Sequence, residues 1–366
     1  MIDTQALLAP ISESSPSGVN LRADQSAGSS YYKLKDARSA ARSAERRADA
    51  EAGAAEVLSP SWDTILSLGP KVLAQQSKDL EVSAWLTEAL LRAEGFAGLA
   101  AGFALMRGLI ERYWDSFFSL QDEAGLETRL APLAGLVGPD GTLIQPLRKV
   151  PITANGLTDG PFASYHYDQG RALGQLAAEA RARREAAGDV SLERFRAMVN
   201  ASGGVFYIAL LKDLEAAESE LKTLSEALDQ RAGNEAPSVS DLAGALGDIL
   251  RAMRIESKEL VERALASMQA AKDAKSGSSS SSGNSVATGS PGALRDREDA
   301  LRTLMQVAEF FRRMEPHSPI SSSLDELVRR ARLPFPALLA ELLPDPNAWR
   351  SALNSAGIKP PAAEGG

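Results

Sequence analysis

The residues able to do acid–base or covalent chemistry are few. Histidine occurs only as His166 and His317. An imidazole titrates near neutrality and could serve as a general base. Neither histidine has a carboxylate or nucleophile at a spacing that would orient it, so both are read as structural. Cysteine is absent, which removes thiolate catalysis, disulfides and Cys-based zinc sites. The 48 Asp and Glu residues leave an acid–base carboxylate pair open, but they fall mostly on the polar faces of helical runs. There is no Walker A loop, dinucleotide glycine fingerprint, His-Glu-x-x-His or Gly-x-Ser-x-Gly elbow. Ala201-Ser-Gly-Gly204 lacks the strand-then-helix setting of a phosphate cradle. No catalytic, cofactor-binding or metal-ligating residue is assigned, no cofactor is expected, and the chain is not read as an enzyme.

What remains is the chemistry of binding. Trp62, Trp85 and Trp114 sit at helical positions, where they serve either as core or as exposed anchors for a partner. Glu315-Pro-His-Ser-Pro319 is either a plain helix stop or a fixed bend that sets how subunits pack. The chain has 366 residues and a net charge of −8, which argues against a phosphate backbone as the main partner. One basic stretch, Lys33–Arg47, has Asp36 and Glu45 interleaved and is read as a solvated helix face. The opening lacks the basic start of a signal peptide. The longest apolar stretch, Phe96–Ile110, is broken by Gly98, Gly102, Arg107 and Gly108, so no membrane span is expected.

The elements that must carry these residues are helices. Hydrophobic residues make up 44% and aromatics 5%, and the dominance of Ala and Leu favours helix. Met1–Gly28 reads as extended, followed by a helix from Tyr31 to about Glu51. Apolar periodicity predicts helices from Trp62 to Leu73, from Leu80 to Gly95 and from Ala97 to Phe117. Ser77 is read as the N-cap of the second of these. Around Asp140-Gly141 a short strand pair over Leu143–Ile152 is expected. Four helices follow, over Asp168–Glu185, Ser191–Val199, Gly204–Arg231 and Ser238–Ala270, as a middle bundle. Ser276–Pro291 is serine-rich with almost no apolar content and reads as a flexible linker. A strong helix over Asp296–Met314 comes next, then one begun by a Ser323-x-x-Glu326 capping box. Pro334–Leu343 and Asn347–Leu353 supply two more short helices. The expectation is an all-α chain with domains over 1–159, 164–274 and 293–358 and a linker over 275–292.

Two blocks carry a resemblance to a known family. Ser77-Lys-Asp-Leu-Glu-Val-Ser-Ala-Trp-Leu-Thr-Glu-Ala-Leu-Leu91, Gly95-Phe-Ala-Gly-Leu-Ala-Ala-Gly102 and Tyr113-Trp-Asp115 resemble the ImpA N-terminal domain. Pro10-Ile-Ser12, Ser15-Pro-Ser-Gly-Val-Asn-Leu21 and Trp62-Asp63 resemble its upstream elements. Arg297-Glu-Asp-Ala300 and Glu315-Pro-His-Ser-Pro-Ile320 resemble the C-terminal part of TssA proteins of bacterial type VI secretion systems. The resemblance covers roughly Pro10–Asp115 and Arg297–Leu343. It implies a cytoplasmic, non-enzymatic assembly factor acting with the baseplate, the contractile sheath and the Hcp inner tube. It further implies a C-terminal region that forms a ring of copies, without nucleic acid or membrane insertion. Pro334-Phe-Pro336 and Leu342-Leu-Pro-Asp345 resemble the short, baseplate-associated form. The interface candidates are Arg297, Glu298, Glu315, Pro316, His317, Ser318 and Pro319 near the ring, and Lys78, Asp79, Trp85 and Trp114 in the N-terminal domain. A helical adaptor or chaperone acting as a monomer or dimer is the alternative of a different class.

Overall fold

In a computed structural model, residues 2–26, 28–50, 59–119, 125–276, 297–314, 320–333, 338 and 341 are described. The chain is all-α. Fourteen α-helices are described, and pairing between extended segments is limited, among the described residues, to three isolated bridges. The chain divides into two compact units, Met1–Ser280 and Ser281–Gly366.

The larger unit is built around α4, Leu80–Tyr113. Buried residues occupy every side of it, including Leu86, Leu90, Leu99, Phe103, Leu109 and Ile110. A helix that is apolar all round must be enclosed by other helices. α3 (Pro60–Gln75), α5 (Leu126–Val137) and α10 (Gly204–Ala232) pack against it. α2 (Ser30–Ala50) covers α3 and touches α4. By length and hydropathy α4 could cross a membrane, but 61% of its most apolar window is buried inside the protein.

α4 is two helices in one. Gly95 sits at φ 61°, ψ −139° and breaks the run, as its position after the Leu80–Leu91 stripe predicts. A residue with a side chain adopts that backbone only at a cost. The two halves then approach so closely that a Cβ on Gly102 would lie 2.5 Å from the Thr87 methyl.

Beyond Asp159 the chain continues the same core. α10 lies along α4 and is tied to it by ion pairs of Arg107 with Glu220 at 3.2 Å and a bond from Arg231 to the Glu111 carbonyl. Fully buried Tyr207 donates to the Ile152 carbonyl at 3.0 Å. The runs expected as separate domains over 1–159 and 164–274 therefore share one interior, because α4 has no face left for water. α7 (Ser164–Leu173), α8 (Ala178–Ala186) and α9 (Leu192–Ser202) form one side of this region. Phe195 is fully buried there against Phe162 and Tyr167. α11 (Ser240–Glu256) and α12 (Lys258–Ser276) complete the unit against α10.

Several local expectations differ from the structure. The strand pair over Leu143–Ile152 is instead α6, Ile144–Lys149. The amides of Thr142 and Leu143 donate to carbonyls of Gly135 and Leu136 in α5, and Pro146 sits in the first helical turn, where its missing N–H costs nothing. Ser77 does not cap α4. Asp79 does, accepting from the amides of Glu81 and Val82 at 2.9 and 3.0 Å. The run 238–270 breaks at Ser257, whose hydroxyl donates to the Met253 carbonyl, so α12 can return along α10. The run 168–185 breaks after Leu173. The N-terminal segment holds a short helix, α1 (Thr4–Leu7), capped by Asp3, with Leu7 and Leu8 buried.

In the smaller unit, α13 (Arg297–Met314) packs on α14 (Ile320–Arg332). α14 begins ahead of the Ser323 box. Apart from residues 276, 338 and 341, the helices expected over Pro334–Leu343 and Asn347–Leu353, the serine-rich stretch and Glu315–Pro319 lie outside the described residues.

G102A is expected to lower unfolding free energy by about 1–3 kcal/mol, the scale of overpacking a tight core. Urea denaturation checks this, and a change within error would mean that the two halves of α4 can separate without cost.

Candidate interaction site

The candidate residues of the larger unit converge where the chain enters α4. The segment 77–79 is flanked on both sides by backbone. The amide of Lys78 donates to Ser17 at 2.8 Å. Phe118 accepts from the Leu80 amide at 2.8 Å and donates its own amide to the Lys78 carbonyl at 2.9 Å. Lys78 and Asp79 are fully buried. Charged groups in that position need partners, since an unpaired buried charge is strongly destabilising. Lys78 Nζ donates to the carbonyls of Leu7 at 2.7 Å and Leu73 at 2.6 Å, and it lies 5.9 Å from the Tyr113 ring centroid. Burial pulls its ammonium down to about 8.

Asp79 is held by Arg22, whose Nη1 donates to its Oδ2 at 2.6 Å. The same guanidinium donates to Glu81 Oε2 at 2.6 Å and lies 4.6 Å over the Tyr31 ring. Tyr31 donates to Glu81 at 2.9 Å. Burial of the phenol, helped by the Glu81 carboxylate, pushes Tyr31 up to about 12. Burial also raises Asp79, against the pull of Arg22 and of the capped amides.

Further along α4, buried Glu88 pairs with Arg38 of α2 and accepts from Thr142. Arg92 pairs with Glu45 of α2, which also accepts the Trp62 indole N–H at 2.7 Å. Trp85 is 4% exposed and packs on Tyr31 with centroids 5.4 Å apart. Trp114 is half-buried and packed between Phe117 and Arg129, which donates to its carbonyl. Lys78, Asp79 and Trp85 are thus interior residues that brace the N-terminal segment, α2 and α4. His166 is likewise structural, accepting the Ala163 amide on Nδ1 at 3.0 Å, with burial lowering its proton affinity. Among the described residues no group of three His, Cys, Asp or Glu is placed to hold a metal ion.

The smaller unit is the reverse case. Leu301, Ala308 and Val328 are buried between its helices. A second apolar stripe on α13 faces solvent, with Val307 38% and Phe310 52% exposed, and on α14 Leu327 is 53% exposed; Met305 and Ile320 are exposed as well. Sequence reasoning expects association between copies to bury a surplus apolar face of this module, without naming its residues. Its signal is a second helical stripe, Val307 and Phe310, beside the inward one of Leu301, Leu304, Ala308 and Phe311. Arg297, a ring candidate, donates instead to the Ala331 carbonyl and closes α13 onto the end of α14. The side chain of Glu298 and all of Glu315, Pro316, His317, Ser318 and Pro319 lie outside the described residues.

Comparison with known proteins bears on these two regions. The family model described as ImpA, N-terminal, type VI secretion system matches residues 8–138, which hold the buried network except for the Leu7 carbonyl and Thr142. The solved N-terminal domain, including the conserved ImpA_N region, of the TssA component of the type VI secretion system from Burkholderia cenocepacia superposes with a TM-score of 0.59. It is 31% identical and covers 71% of this chain and 95% of its own. The chain belongs to the TssA family. The type VI secretion system component TssA1 of Pseudomonas aeruginosa is 26% identical over 355 residues, spanning 94% of this chain and 96% of that protein. In this TssA chain the family-model match stops at residue 138, ahead of α10, although α10 covers α4.

Two variants probe the network. R22M leaves Asp79 and Glu81 without their cation and is expected to cost about 3–5 kcal/mol of stability in urea unfolding, the scale for breaking a buried pair. K78M tests the buried ammonium by pH. The unfolded lysine titrates near 10.5 and the folded one near 8, so between those values the unfolded chain holds more protons and the fold gains stability as pH rises. That contribution is absent below 8 and complete above 10.5. The stability difference between parent and K78M should therefore move in the parent's favour as pH rises through this window. A flat difference would show that burial leaves the Lys78 ammonium untouched.

Proposed function

We propose that this TssA chain is a cytoplasmic scaffold of a type VI secretion apparatus. In this reading it self-associates through its C-terminal unit, taken as 293–358. It presents the larger N-terminal unit to baseplate, sheath and inner-tube subunits. The observation that carries the proposal is the exposed apolar face of α13 and α14. A unit of this size has a marginal core, and leaving Phe310 and Leu327 in water forgoes burial that contact between copies would supply. Contacts that repeat head to tail close into a ring when the rotation permits. Tethering several larger units to such a ring would raise their local concentration at a shared target. The secretion context rests on the solved TssA domain and the TssA1 relative.

Light-scattering mass of the full chain and of a chain ending at Ser276 tests the reading. A large, discrete assembly that collapses on truncation supports it. A monomer or dimer in both cases refutes the ring and leaves a helical adaptor. F310E and L327E are each expected to reduce the full-length mass to that of a single chain while the larger unit keeps its melting temperature.

A further inference from the structure

α2 carries basic residues at 35, 38, 42 and 46, one per helical turn, facing the first half of α4. They line a cavity of about 260 Å³ with Ser39, Glu81 and Trp85. The acids around it are already engaged. Glu81 accepts from Arg22 and Tyr31, Glu88 from Arg38 and Thr142, and Glu45 from Arg92 and Trp62. Arg42 is half-buried and makes no hydrogen bond or ion pair with any described residue. Burial lowers the proton affinity of Arg42, the Glu88 carboxylate opposes that shift, and the like-charged neighbours Arg38, Arg46 and Arg92 add to it. Trp85 is buried, and its indole N–H donates to no described acceptor. The Arg42 guanidinium and the Trp85 indole line one cavity and neither is a donor shut off from water, so an oxyanion entering the cavity can replace the water at both.

We infer that this cleft is a docking site for an acidic peptide segment of a partner protein, with Arg42 receiving a side-chain carboxylate and Lys35 and Arg46 flanking it. From Lys35 to Arg46 the ridge runs about 16 Å along the helix, the length of roughly five extended residues. The cavity holds a carboxylate side chain, and the flanking cations meet its neighbours along the peptide. A nucleic acid would have to bring a continuous phosphate backbone against a protein of net charge −8, which opposes a long polyanion more than a short segment. The inference deepens the scaffold reading, since it gives the N-terminal unit a way to hold a partner.

The test is fluorescence anisotropy of a labelled hexaglutamate peptide with the full-length chain at low ionic strength. Saturable binding is expected, weakened by added salt and weakened about tenfold or more in R42Q, the scale of losing a charge-assisted hydrogen bond. W85F, which keeps the ring and removes the N–H, should weaken it by a smaller factor. R42Q should melt at or above the parent's temperature, because it relieves crowding among cations. Absence of saturable binding overturns the inference, as does binding that R42Q leaves unchanged. Displacement of the peptide by inorganic phosphate or a single-stranded oligonucleotide at lower concentration than by unlabelled hexaglutamate also overturns it, in favour of a phosphate site. Light scattering on the same samples keeps the two readings apart. Peptide binding by a chain that fails to self-associate refutes the ring alone, and self-association without binding refutes the cleft alone.

Discussion

A helix with no polar face is stable in water only when other helices surround it, and α4 imposes that requirement on the whole larger unit. α3, α5 and α10 are its walls, and α2 reaches it over α3. The requirement also reaches the polar residues at its start. Enclosing the apolar body of α4 encloses Lys78, Asp79 and Glu88 as well, so each must find its counter-group inside the protein. Arg22, Arg38, the Leu7 and Leu73 carbonyls and the Thr142 hydroxyl supply them. Specificity follows from this arrangement. Apolar contacts tolerate small slippage, whereas a carboxylate that must meet one guanidinium and two backbone amides fixes how α2 and the N-terminal segment sit on α4.

The smaller unit solves the opposite problem. Two amphipathic helices can bury one stripe each against the other, and α13 and α14 do so through Leu301, Ala308 and Val328. The polar side is held by exposed ion pairs, such as Arg329 with Glu326 and Glu341, which contribute little individually in water. The larger unit is therefore closed by its own sequence, and the smaller one is open at a surface.

Much of this was legible in the residues. Helical periodicity placed the long helices of both units, though it missed α1 and α6 and ran α7 into α8 and α11 into α12, and Gly95 announced the break in α4. The role of Lys78 and Asp79 was not legible. A Ser-Lys-Asp-Leu start looks like a solvated helix entry, and the partner that makes Asp79 interior, Arg22, lies 57 residues earlier. Local patterns misled in the same way at Asp140-Gly141. The dipeptide suits a hairpin, yet the neighbouring amides bond back to α5. The boundary near Asp159 looked firm because Gly and Pro cluster there, but such residues mark turns within a core as readily as gaps between cores. The basic face of α2 was read as solvated, since interleaved Asp36 and Glu45 suggested local pairing. Glu45 turns inward to Arg92 and Trp62, and the balance on that face is lost.

The latch on the first residues has a consequence for how the chain is made. Leu7 and Leu8 leave the ribosome ahead of the groups that grip their carbonyls, since Lys78 and Tyr113 arrive 71 and 105 residues later. α10, the long cover of α4, comes later still. At about 5–20 residues per second, the apolar body of α4 spends several seconds outside the exit tunnel before its last wall exists. The unit can close only once most of it has been synthesised. Until then the exposed α4 helix is a substrate for whatever chaperone the ribosome has to hand.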